Sequence, residues 1–115
     1  MEMLEGYAFE GGPEEGVLRI DGAATLDGCE KIKAALLAAL GRCRTLTLDV
    51  SGVTQADLSF LQLLCAADKS AKARGGSLAH LHAPSAAVVE AVRTTGFDML
   101  DPQVVGIALF TTIPR

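Results

Sequence analysis

The hydrophobic residues of this chain change period as the sequence advances, and that alternation constrains the fold more than any other feature. From Asp27 to Leu40, Cys29, Ile32, Leu36, Ala39 and Leu40 share one helical face while Glu30, Lys31 and Lys33 occupy the other, and Gly41 stops the helix. In "TLTLDVSG" the spacing shortens to two: Leu46, Leu48 and Val50 alternate with Thr47 and Asp49, which predicts a strand. A second helix is predicted to begin at Asp57, whose carboxylate can accept from the free N–H groups of a first turn, and to end before Gly75 and Gly76. "SLAHLHA", Ser77 to Ala83, reads as the next strand. Pro84 and Ser85 open a third helix that buries Val88, Ala91 and Val92 until Gly96, and "VVGIALFTT" reads as a final strand.

Upstream, "VLRID" alternates as a half-buried strand that Gly22 ends. A weaker strand near Glu5 to Phe9 precedes it, across the turn Glu10 to Gly16. Strands that alternate with helices lie parallel, with the helices as crossover connections. The expected fold is α/β: a mixed, mostly parallel sheet with helices packed mainly on one face, in a single domain spanning residues 1–115.

Composition narrows the function. Ten Lys and Arg stand against fourteen Asp and Glu, a net charge of −4, with no basic block and no interleaved aromatics, so nucleic acid is not an expected partner. The longest apolar runs, Ala34 to Leu40 and Val104 to Phe110, fall far short of the roughly 20 residues a membrane helix needs, and the acidic N-terminus lacks a signal pattern. A cytoplasmic location is expected. Cys29, Cys43 and Cys65 are widely spaced and form no C-x-x-C pair, which reads as three reduced structural thiols.

One segment carries chemistry. In "VTQADLSFLQLL", Val53 to Leu64, Ser59 falls at the second position of the predicted helix, where unpaired N–H groups and the helix dipole favour an added phosphate. Advancing about 100° per residue, Phe60, Leu61, Leu63, Leu64, Ala67 and Ala71 form the arc that must face the sheet. Ser59, Gln62, Ala66, Lys69, Ser70 and Ala73 form a narrow opposite arc of mostly small side chains. Such a stripe lets a partner's surface come close, and a phosphate there would add about −1.5 to −2 charges beside Asp57. Asp57 alone, however, already accounts for a helix cap, and a serine in a first turn is common.

The stretch "TLTLDVSGVTQADLSFLQLL" followed by "ARGGSLAHLHAPSAAVVEAVRTTGF" resembles the STAS domain, the fold shared by anti-sigma-factor antagonists and the cytoplasmic tails of sulfate transporters. The matching elements run in order: a strand ending in Asp49, the Ser51–Gly52 turn, Asp57 and Ser59 at a helix start, the run Leu61 to Leu64, the Gly75–Gly76 break, a strand at Leu78 to Leu81 and the "TTGF" helix exit. The resemblance implies a non-enzymatic regulatory protein in which Ser59 accepts a phosphate from a kinase-type anti-sigma factor or a histidine-kinase-like partner, which binds the unmodified form only. The stripe of small residues, taken with the preceding segment, gives the expected partner surface: Val53, Thr54, Gln55 and Ala56, read as a loop, with Asp57, Ser59, Gln62, Ala66 and Ser70. The alternative within the same fold is a constitutive adaptor subunit, as STAS proteins are in bacterial lipid-transport complexes. Two positions depart from the family pattern: Phe60 follows the acceptor where a small residue is typical, and Ala56 precedes Asp57 where a large apolar one is usual.

Other candidates are weaker. His80 and His82 point to one face of a strand but lack a third ligand, so no metal is expected. Asp68 falls at the rim of the apolar arc, with Lys72 one turn on. No phosphate-binding loop, dinucleotide fingerprint or catalytic constellation appears, so neither a cofactor nor an enzymatic activity is expected. The segment Val104 to Phe110 could pair as an exposed edge with a second copy of the chain.

Overall fold

The structure is a computed structural model and describes residues 1–80 and 85–96. Eight regular elements follow one another: β1 (Glu2–Leu4), β2 (Tyr7–Gly11), β3 (Glu15–Ala24), α1 (Cys29–Leu40), β4 (Thr45–Ala56), α2 (Leu58–Ala73), β5 (Ser77–His80) and α3 (Ala86–Thr95). A single 3-10 turn, Leu26–Gly28, leads into α1. The five strands form one mixed sheet in sequence order. β1, β2 and β3 pair antiparallel, whereas β3, β4 and β5 are parallel.

The parallel strands step across the sheet in one direction, so their right-handed crossovers put α1 and α2 on the same face. That face supplies Leu18 and Ile20 from β3 and Leu46, Leu48 and Val50 from β4. Against them pack Ile32 and Leu36 of α1, Phe60, Leu61 and Leu64 of α2, and Val88 and Val92 of α3, each with 1% exposure or less. Burying each of these large side chains contributes about 1.5–3 kcal/mol relative to leaving it in water, which is what holds the helices down.

The N-terminal strand predicted at Glu5 to Phe9 is in fact a hairpin. Glu5 and Gly6 both have positive φ, 54° and 89°, and Leu4 pairs with Tyr7 across them. Two successive positive φ values give a turn whose twist matches that of the flanking strands. Glycine is required at Gly76 for a different reason: a Cβ there would lie 2.1 Å from the carbonyl oxygen of Arg44. This close approach lets the chain drop from α2 into β5, with Ser77 N–H donating to Arg44 O at 3.1 Å.

Two expectations for the middle of the sheet are corrected. β3 does not end at Gly22, and Val53 to Ala56 is not a loop: Gly22 pairs with Val53, Ala23 with Gln55 and Ala24 with Ala56. Neither does the Ser51–Gly52 turn break β4. The register shifts twice, between Arg19 and Asp21 and between Gly22 and Ala23, and each time β4 carries one residue more than β3. These bulges break the two-residue rhythm, so Val53 is buried out of phase with Leu46, Leu48 and Val50. The first is braced on the sheet's other face, where Asp49, 2% exposed, accepts from the Ser51 hydroxyl at 2.6 Å and pairs with Arg19 at 3.1 Å.

α3 begins as predicted, with Ser85 accepting from Val88 N–H at 3.3 Å, and it ends at Gly96 in the left-handed conformation. Asp68 is not at a rim. It is 1% exposed, and Lys72 Nζ lies 2.9 Å from its Oδ2, close enough for an ion pair but not aligned as a hydrogen bond. His82, the predicted strand beyond His80 and the segment Val104 to Phe110 with its proposed self-pairing lie outside the described residues.

Candidate functional site

The bulged end of β4 delivers Asp57 to the start of α2. Asp57 keeps extended backbone, φ −137° and ψ −176°, so its side chain folds back over the first helical turn. Oδ1 accepts from the Phe60 backbone N–H at 3.3 Å and from the Ser59 hydroxyl at 2.5 Å. Oδ2 reaches across to the turn before α1 and accepts from Leu26 N–H at 3.0 Å. One carboxylate thus joins the cap, the serine and a turn that lies far away in sequence.

These donors act together on Asp57. The Ser59 hydroxyl is the main reason its carboxyl is held below the usual range; burial opposes this, and the backbone N–H groups of Leu26, Phe60 and Ser59 reinforce it. Asp57 is therefore an anion at neutral pH and a weakened base. It orients the Ser59 hydroxyl rather than taking its proton.

Ser59 itself is half-buried at the second position of α2. The departure at Phe60 turns out to be harmless to its access, because that ring is 1% exposed and belongs to the core. Two large apolar side chains flank the site instead: Leu26 is 72% and Leu58 43% exposed. Sequence periodicity missed both of them, together with a cleft of about 420 Å³ between α3 and the β4–α2 junction, where Ala56, Leu58, Ala87 and Ala91 meet Asp57 and Glu90. The signal for Leu26 was a leucine outside the helical pattern, just before Asp27.

The other candidate contact residues divide. Thr54 and Gln55 are exposed, and Ala56 and Asp57 half-buried, around the end of β4. Gln62 is exposed on the same helix face as Ser59, while Ala66 and Ser70 continue down that face into the groove between α2 and α1, beside Leu37 and Lys33. Val53 leaves the set: it is 3% exposed, so it supports the surface from below. The three cysteines are free thiols, and burial pushes those of Cys43 and Cys65 up.

Comparison with known proteins identifies the family and the fold. A family model described as "Mlab, STAS domain" matches residues 7–106. The chain belongs to the STAS family. Among solved structures, a candidate anti-sigma factor antagonist of Thermotoga maritima, tm1081, superposes with a TM-score of 0.66 at 18% identity, covering 82% of this chain and 81% of that one. The anti-sigma factor antagonist SpoIIAA in its unphosphorylated form gives 0.63 at 22% identity, covering 78% and 80%. Mglu, a longer chain, superposes with a TM-score of 0.56 at 21% identity over 65% of this chain, which spans only 19% of Mglu. No curated protein gives a significant match. At these identities the solved structures establish the shared fold, a mixed five-stranded sheet with three helices among the described residues. Among those residues no helix of this STAS chain is long and apolar enough to cross a membrane.

Proposed function

We propose that this STAS protein is a non-catalytic regulatory switch that docks a kinase-type anti-sigma factor, or a related histidine-kinase-like protein, through the first turn of α2. Ser59 is its modified residue. The observation that carries this reading is the placement of the Ser59 hydroxyl: half-buried, oriented by Asp57, and flanked by exposed Leu26 and Leu58, with the bulky Phe60 turned into the core. An apolar rim around one hydroxyl suits a contact that a dianion would disrupt, since phosphate cannot be buried against apolar surface without a paired cation. Thr54, Gln55, Ala56, Asp57 and Gln62 complete the contact, with Ala66 and Ser70 at its lower margin. The protein acts in the cytoplasm.

A second reading keeps the surface and drops the switch. The family description that matches the chain is that of Mlab and not that of an anti-sigma-factor antagonist, which favours a constitutive adaptor in a transport or signalling complex. Affinity capture from the native host separates the two, with wild type, Ser59→Ala and Ser59→Asp as baits. The switch predicts a kinase-fold partner retained by wild type and Ser59→Ala and lost from Ser59→Asp. The same partner on all three baits would identify a fixed adaptor.

A further inference from the structure

Asp57 does more than cap α2, because its two oxygens face two different elements. Oδ1 is occupied by the Ser59 hydroxyl and Phe60 N–H, whereas Oδ2 holds Leu26 N–H, 31 residues away in sequence. The turn it holds is tied on its other side to the start of α1, where Cys29 N–H donates to Leu26 O, so the Leu26 carbonyl is held by the helix while its N–H depends on Asp57. Thr25 provides no side-chain cap, and within the turn Gly28 N–H donates to Thr25 O at 3.0 Å. At its centre stands Leu26, 72% exposed.

From this we infer that Asp57 is a positioning residue that transmits the state of Ser59 to the Leu26 turn. The inference rests on Ser59 being the modified residue. In the modification, Ser59 Oγ attacks the terminal phosphorus of a nucleoside triphosphate held by a kinase. The Oγ–P bond forms, the bond to the leaving nucleoside diphosphate breaks, and the hydroxyl proton passes to a base of the kinase or to solvent.

The product has no hydroxyl hydrogen to donate, so Asp57 loses its Ser59 contact. It also gains a neighbouring anion that competes for the same first-turn N–H groups, Phe60 N–H among them. Repulsion between the two anions turns the carboxylate away from the helix start, and Leu26 N–H loses its acceptor. The turn Leu26–Gly28 then loosens, and Leu26 no longer holds a fixed position beside the site. Modification thereby acts twice, by adding charge to the contact and by releasing one of its apolar side chains.

The test needs no partner. Amide hydrogen exchange and the chemical shift of Leu26 N–H are followed by NMR on labelled full-length protein in four forms: wild type, Asp57→Ala, Asp57→Asn, and protein carrying phosphoserine incorporated at position 59 during synthesis. Exchange at Leu26 should rise roughly tenfold in the phosphoserine protein and in Asp57→Ala, as expected for loss of a hydrogen bond to a charged acceptor, while Leu61 and Leu64 amides stay protected. Should Asp57→Ala fail to fold, the phosphoserine protein still decides the matter, and Asp57→Asn, which keeps an acceptor oxygen without the charge, should show a smaller rise than Asp57→Ala. A Leu26 amide that exchanges in the phosphoserine protein within twofold of wild type overturns the coupling. Because capture reads partners and exchange reads the turn, loss of the switch reading and loss of the coupling are separate results.

Discussion

Helix α2 has one aspartate at its N-cap and another in its third turn, and the protein treats the two in opposite ways. Asp57 is half-exposed and surrounded by donors from the serine and from the backbone of two elements. Asp68 is 1% exposed among core side chains, with the half-exposed Lys72 ammonium within ion-pair distance. Around Asp57 water can take over any contact that is lost, so the local charge can be altered without unfolding the helix. Around Asp68 water has little access, so the buried carboxylate depends on the Lys72 ammonium, although that ammonium itself reaches water. A switch that works by adding charge belongs at the first kind of site and would be ruinous at the second.

Breaking the buried pair should have the largest effect. Lys72→Met leaves the Asp68 carboxylate without this cation and is expected to destabilise by about 3 kcal/mol, the low end for buried pairs because the ammonium is already partly in water. Adding Asp68→Leu to that variant should recover most of the loss, as chemical denaturation of the two variants will show. At the helix start, Asp57→Ala should cost about 1 kcal/mol, the usual worth of a cap, and no more. A loss comparable to that of Lys72→Met would mean that Asp57 is as much a core residue as Asp68.

The smallest effect is electrostatic. The folded protein holds Asp57 below its ordinary value of about 3.9, so this group's stabilisation is complete above roughly pH 4 and is lost as the pH falls through the depressed folded value. In Ser59→Ala the main cause of the depression is gone. The Asp57 titration, followed by carboxyl-carbon NMR, should therefore move up toward the ordinary value, with a loss of stability well below that of Asp57→Ala. An unmoved midpoint would show that the backbone N–H groups, and not the serine, set the charge of Asp57.

Much of this contrast was legible in the sequence, and the part that was not has a common cause. The helix periods, the caps at Asp57 and Ser85, the stop at Gly96 and the position of Ser59 are local properties. They depend on side chains and backbone within about one helical turn of each other, which is the range over which a sequence pattern reports. Asp68 was misplaced because a charged residue beside an apolar arc looks the same whether its helix stands at an edge or is covered by neighbours. Val53 to Ala56 read as a loop because the bulges of β4 erase alternation, while the hydrogen bonds that make it a strand come from β3. The exposed Leu26 had no pattern at all until the fold brought its N–H to Asp57. What the amino-acid order determined by itself was where α2 and α3 start and which serine stands at the opening of α2, whereas α1 starts at Cys29, after the 3-10 turn, and not at Asp27. Only tertiary structure decided which aspartate is buried and what the other one holds, because burial and long-range hydrogen bonds depend on which elements the packed core brings together.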